Sequence, residues 1–238
     1  MKKIIKTMIL LFSLNLSFSQ DVATFFKNTD AFLKANVANG KVDYDALKKN
    51  SNSLNELIEK VSKIDISKEN TNTQKAFLIN TYNILLIKGI VSKYPVKMPT
   101  EIAGLFDKTT FIINGKKYTL NDLENKLIRA KYNDPRVHFV LVCGANGCPP
   151  ITNNAYLPET LEEQLNKQTK LALNNTNFIK VNTTTKKVEL SQIFEWYKDD
   201  FISKGKNEIE FINQYRDTKI DAKYKVYYYP YDWTLNKK

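Results

Sequence analysis

Apolar residues recur along this chain at two different periods, and the alternation of those periods divides it into elements. From Asp21 to Ala38, Phe25, Phe26, Phe32 and Leu33 follow helical spacing, and Asn39-Gly40 stops the run. Val42-Asp43-Tyr44 comes next, then a helix through Leu47, Leu54 and Leu57, then a polar connector over 64–73. Gln74 to Lys93 is different in kind. Its apolar residues, from Phe77-Leu78-Ile79 to Ile90-Val91, go all round a helix, which is the pattern of a helix buried in the middle of a domain. Tyr94-Pro95 ends it.

The next signal is a hairpin. Phe111 to Tyr118 is interrupted by Asn114-Gly115, a pair that readily supplies the positive φ angles of a tight turn. Thr119 is placed to cap a helix over Leu120 to Ala130, with Asp122 in its first turn. Arg136 to Cys143 reads as a strand, Pro158 to Leu173 as an amphipathic helix, and Phe178 to Leu190 as a second hairpin. Ser191 caps a helix through Ile193, Phe194, Trp196, Tyr197 and Phe201, with Trp196 and Tyr197 read as core. A short helix around Phe211 and Ile212 and a strand from Lys225 to Tyr229 complete the chain, the tyrosines up to Tyr231 being read as buried rings with wet hydroxyls. There is no repeat and no long linker. The expectation is a single α+β domain, with helices packed around a small, mostly antiparallel sheet.

Composition changes the picture chiefly at the amino terminus. Residues 1–19 carry Lys2, Lys3 and Lys6, then a short apolar run from Met8 to Leu16, then Ser17-Phe18-Ser19. That is the layout of a signal peptide cleaved after Ser19, and the run is too short to span a bilayer. The mature protein, 20–238, is expected to be exported, periplasmic or secreted, with no membrane anchor after cleavage. The formal net charge of +11 falls to +8 when those three lysines leave. Among the basic residues only Arg129, Arg136 and Arg216 are arginines, and base reading favours arginine, so sequence-specific nucleic acid is not an expected partner. A small molecule, a peptide or a glycan is.

The only His and both Cys of the chain lie in one stretch, Asp134-Pro135-Arg136-Val137-His138-Phe139-Val140-Leu141-Val142-Cys143-Gly144-Ala145-Asn146-Gly147-Cys148-Pro149-Pro150. It resembles the signature of the domain-of-unknown-function family 547 (DUF547), which runs close to D-P-R-[IV]-H-F-A-L-V-C-x-x-x-S-C-P. Val42-Asp43-Tyr44, Ala76 to Asn83 and Leu190 to Tyr197 agree with further family stretches, so the resemblance covers about 40–203 and leaves 204–238 as a carboxy-terminal extension. Two positions depart from the family. Gly147 stands where the family usually has Ser, and Asn125 where it often has His. The resemblance implies membership without implying an activity.

The residues themselves allow three chemistries. A thiol nucleophile needs a base in hydrogen-bond reach, and His138 is the only imidazole. A regular strand, however, would put His138 and Cys143 on opposite faces and roughly 16 Å apart. A thiol-dependent hydrolase or transferase with Cys143 as nucleophile, His138 as base and Glu124 as orienter therefore needs a break in that strand. A disulfide is nearer to hand: the four residues between Cys143 and Cys148 include two glycines, and export makes such a bond persistent. A dithiol oxidoreductase would further need an exposed sulfur and a depressed thiol pKa. One His and two close Cys give too few ligands for a metal site, and no cofactor motif is present, so neither metal nor cofactor is expected. Asn80 and Asn83, one turn apart on the all-apolar helix, either satisfy core backbone groups or floor a polar pocket. With Arg136 they are the candidate binding residues, and a binding or accessory module is the leading reading.

Overall fold

In a computed structural model, residues 20–238 are described, and the signal peptide expected over 1–19 lies outside them. The first helix, α1, covers 20–36 and buries Phe25, Phe26, Phe32 and Leu33. A two-residue ladder, β1 (Val37–Ala38) with β2 (Lys41–Val42), turns the chain into α2 (Tyr44–Lys49). Asp43 caps α2 by accepting the Ala46 N–H. The sequence pattern joined Leu47 to Leu57 in one helix. The chain instead breaks at Asn50 and Ser51 and resumes as α3 (Asn52–Lys63), where Asn50 accepts the Asn52 N–H.

The long helix α4 (Thr71–Lys93) begins where Asn70 accepts the Thr73 N–H, and it is buried from Ala76 to Ile87. It forms the axis of a first hydrophobic core, into which α1, α2, α3 and the hairpin β3 (Phe111–Ile113) and β4 (Lys116–Tyr118) pack. Asn114 and Gly115 turn that hairpin with φ of 44° and 70°. Thr119 and Asp122 then form a reciprocal capping box for α5 (120–132). A second core gathers Phe139, Phe178, Phe194, Phe201 and Phe211. Around it lie α6 (Leu161–Asn174), β5 (Ile179–Asn182), β6 (Lys187–Ser191), α7 (Gln192–Trp196), α8 (Lys198–Ile202), α9 (Glu208–Tyr215) and β7 (Lys225–Tyr229). The sheet order is β5-β6-β7, with β5 antiparallel to β6 and β7 parallel to it. The other strand pairs described are antiparallel. The architecture is a single α+β domain with small sheets.

One expected element is absent. Residues 136–143 do not form a strand: Pro135–Phe139 is a short 3₁₀ helix, followed by an irregular bend. The apolar run that suggested a strand is buried on every side because it passes between the two cores. Val137, Val140, Leu141 and Val142 belong to the first, and Phe139 belongs to the second. Burial on all sides gives the same hydropathy pattern whether the backbone is extended or coiled. Pro135 in the first turn, and Asp134 accepting the Arg136 N–H at 3.0 Å, start the coil.

Candidate functional site

The 3₁₀ turn carries the sole imidazole to the seam between the cores, where His138 is 4% exposed. Its Nε2 lies 2.7 Å from Oδ2 of Asp200, a residue of α8. Arg129 grips the same carboxylate with two nitrogens, Nε to Oδ2 at 2.7 Å and Nη2 to Oδ1 at 3.0 Å. The His138 ring stacks on Tyr197 with centroids 4.0 Å apart, and the Arg129 guanidinium lies 4.7 Å from the Tyr197 centroid. Burial works to raise the Asp200 carboxyl, but hydrogen bonds from His138 and Arg129 outweigh it and hold the group well below the usual carboxylate range. An ionised Asp200 accepts, so Nε2 carries the proton of the neutral ring and Nδ1 is its lone-pair nitrogen. This tautomer is assigned from the hydrogen-bond network.

Glu124 reaches the same seam through an unusual helix. In α5, residues Leu123–Arg129 wind as a π-helix, with Ala130 N–H bonding to Asn125 C=O five residues back. That winding brings side chains five apart towards one face, so Glu124 and Arg129 both turn inward. Glu124 is 7% exposed, and the Tyr82 hydroxyl donates to its Oε2 at 3.3 Å. Burial first, and the Glu124 charge second, push the phenols of Tyr82 and Tyr197 up, so both remain donors.

Cys143 and Cys148 form an intramolecular disulfide, with Cα atoms 6.4 Å apart. The Tyr231 hydroxyl sits 2.9 Å from Cys148 Sγ and 3.1 Å from Cys143 Sγ. The Cys143 N–H also donates to Cys148 Sγ at 2.9 Å. Tyr231 arrives on the carboxy-terminal segment, which runs back along the Cys loop. Gly147 N–H bonds to Asp232 C=O at 2.8 Å, Asn146 N–H to Thr234 C=O at 2.8 Å, and Asn236 N–H to Gly144 C=O at 2.9 Å. A cavity of about 300 Å³ opens where these pieces meet. His138, Glu124 and both sulfurs line it, and Trp196, Tyr231 and Trp233 form an aromatic wall with neighbouring centroids 4.9–5.9 Å apart.

The sequence-derived candidates thus divide. His138, Glu124, Cys143 and Cys148 share one cavity, while Asn80, Asn83 and Arg136 do not line it. Asn83 donates to Val140 C=O at 2.9 Å and accepts from Val142 N–H at 3.0 Å. Asn80 does the same for Tyr156, at 2.7 Å and 3.0 Å. Each amide stands in for a missing strand neighbour of an irregular buried segment. Arg136 is engaged by Asp134, Glu162 and Asn166. The carboxylate on the imidazole is Asp200 rather than Glu124. Trp196 is not core: it is 46% exposed on the cavity wall. Among the described residues, no group of three or more His, Cys, Asp and Glu side chains is placed to hold a metal ion. No helix there is long and apolar enough to cross a membrane.

The sequence reading does not single out Asp200 or Trp233, and it places neither Arg129 nor Tyr231 among the candidate site residues. Asp200 follows Asp199 on a short helix and has the appearance of a solvated charge. Arg129 sits five residues from Glu124, a spacing that α-helical periodicity assigns to a different face.

Gly147 is where a backbone approach replaces a side chain. A Cβ there would stand 3.0 Å from both the N and the O of Asp232 and from the Tyr231 ring. Gly147→Ser, towards the residue the family usually carries, is expected to push the terminal segment off the loop. The cost should be about 1–2 kcal/mol, measured as a lower urea midpoint together with red-shifted tryptophan emission.

The family described as "Protein of unknown function, DUF547" matches residues 66–171. That span holds Ala76 to Asn83 and the His–Cys stretch, whereas Asp200, Trp196, Tyr231 and Trp233 lie beyond it. Comparison with curated proteins and with solved structures finds no match in either. The matched span 66–171 supplies the imidazole, Glu124 and both sulfurs of the cavity, and it is over this part that the chain is similar to the DUF547 family.

Proposed function

We propose that this protein is an exported binding or accessory module that holds a small ligand in the cavity beside His138. The observation that carries this reading is the cavity's lining. At about 300 Å³ it lies at the small end of ligand sites, and it combines an apolar aromatic wall with convergent polar groups. His138, pinned by Asp200, and Glu124, held by the Tyr82 phenol, are polar anchors whose orientation is set before a ligand arrives. With the two sulfurs bonded to each other there is no free thiol beside the imidazole, so a hydrolase or transferase using Cys143 and His138 is the second reading and requires that bond to open.

The chain has two tryptophans, Trp196 and Trp233, and both line the cavity, so intrinsic fluorescence reports its occupancy directly. Three probes represent the three ligand classes: tri-N-acetylglucosamine, trialanine and S-methylglutathione. A saturable change with one of them is expected, weakened about tenfold by His138→Ala through loss of a buried hydrogen-bonding group. If none of the three produces a saturable change, the binding reading fails.

A further inference from the structure

The disulfide occupies an unusual place for a purely structural bond. Both sulfurs are half-buried and face the same cavity as the imidazole, and they are unequal. Cys148 Sγ receives the backbone N–H of Cys143 and the hydroxyl of Tyr231, each at 2.9 Å. The Tyr231 phenol is pushed up by burial and so keeps its proton as a donor. Two donors converging on one sulfur favour the thiolate at that position, which makes Cys148 the better leaving group of the pair. Cys143 Sγ has only the longer contact to Tyr231, at 3.1 Å.

We propose that Cys143–Cys148 is an exchange-active disulfide and that the ligand class of the cavity is a low-molecular-weight thiol. This rests on the cavity being the binding site. An incoming thiol gives its proton to Nδ1 of His138, whose Nε2–H is held by Asp200. Its sulfur then forms a bond to Cys143 Sγ. The Cys143–Cys148 bond breaks, and its electron pair leaves on Cys148 Sγ as a thiolate held by Tyr231 and the Cys143 N–H. The Cys148 thiolate then takes the proton that Nδ1 of His138 received, which returns the ring to its starting state. A second thiol attacks the mixed disulfide at the ligand sulfur and releases Cys143, which takes that thiol's proton. The balance is two thiols oxidised to one small disulfide and one protein disulfide reduced to two thiols. A second, external disulfide returns the protein to its starting state by the same steps in reverse.

The test uses glutathione on the folded protein, with acid quench, alkylation and mass analysis. The expected result is a mixed disulfide on Cys143 with Cys148 alkylated, and formation about tenfold slower in Tyr231→Phe. Reduction that occurs only after denaturation, or at an equal rate in Tyr231→Phe, overturns the proposal. A Cys143→Ala variant, which keeps the backbone donor, gives a second measure. Its single thiol should react with iodoacetamide with a pH midpoint below the ordinary value of about 8.5, and the added Tyr231→Phe change should raise it. A midpoint at or above that value overturns the proposal as well. Saturable binding of S-methylglutathione without any exchange with glutathione would leave the binding module standing and remove only the redox step.

Discussion

Replacing Asn83 with alanine is expected to destabilise the protein by about 3 kcal/mol, although the change removes only a short polar side chain. The amide is the sole partner described for the Val140 carbonyl and the Val142 N–H, and both of those residues are buried. Truncation leaves two backbone groups desolvated and unpaired, each costing about 1–3 kcal/mol. A falling urea midpoint at constant slope measures the loss, and a loss below about 1 kcal/mol would contradict this account. Because Val140 to Val142 lead directly into Cys143, the same variant should also loosen the cavity and change the tryptophan emission. A replacement that merely hollowed out distant core would leave that emission alone.

An effect of similar size is expected at Asp134. Its carboxylate holds Lys75, which is 5% exposed, and Arg136, whose Nη2 lies 2.6 Å from Oδ2. Asp134→Ala leaves a buried ammonium beside a guanidinium with no charge between them, which should cost about 3 kcal/mol or more. The native group also predicts an acid transition. Burial acts to raise the Asp134 carboxyl, but hydrogen bonds and charge from Arg136 and Lys75 prevail and bring it from 3.8 down to about 2. A folded-state value below the unfolded one means that its contribution is complete above about pH 4 and is lost as pH falls from about 4 towards 2. That contribution is roughly 2 kcal/mol. Asp200, depressed in the same direction by His138 and Arg129, adds to the same loss. Urea midpoints between pH 2 and 6 should fall steeply in the native protein and less steeply in Asp134→Asn, which starts from a lower plateau. Parallel curves would contradict the assignment.

Local signals in the sequence were read well. Asn114-Gly115 makes its hairpin, Thr119 caps the helix that follows with Asp122 in its first turn, and the all-apolar stretch of α4 is the buried axis of a core. Each of these depends on residues within a turn or two of one another. The run from Arg136 to Cys143 carries an ambiguous signal: an unbroken apolar stretch says that a segment is buried, not how its backbone is coiled, and here it begins as a 3₁₀ turn. Once the strand is replaced by a 3₁₀ turn, the argument that held His138 and Cys143 on opposite faces of a sheet no longer applies. Both groups line one cavity, with the sulfur already bonded to Cys148. The tail beyond 203 looked like an addition to the family region. It supplies Tyr231 and Trp233 to the cavity and is stitched to the Cys loop by backbone hydrogen bonds.

The amino-acid sequence by itself determined the α+β class, the similarity to DUF547 over 66–171, the inventory of one imidazole and two sulfurs, and the short loop that lets those sulfurs pair. Periodicity, capping and ring closure over four intervening residues are short-range effects, and a linear string carries them in full. Tertiary structure alone decided that Asp200, 62 residues from His138, holds the ring and that Tyr231, 83 residues from Cys148, donates to its sulfur. It also decided that both asparagines of α4 hydrogen-bond the backbone of buried irregular segments. Those pairings arise from how two cores meet along a seam, and the energy that selects the seam is the burial of many apolar side chains at once, which no single local pattern encodes.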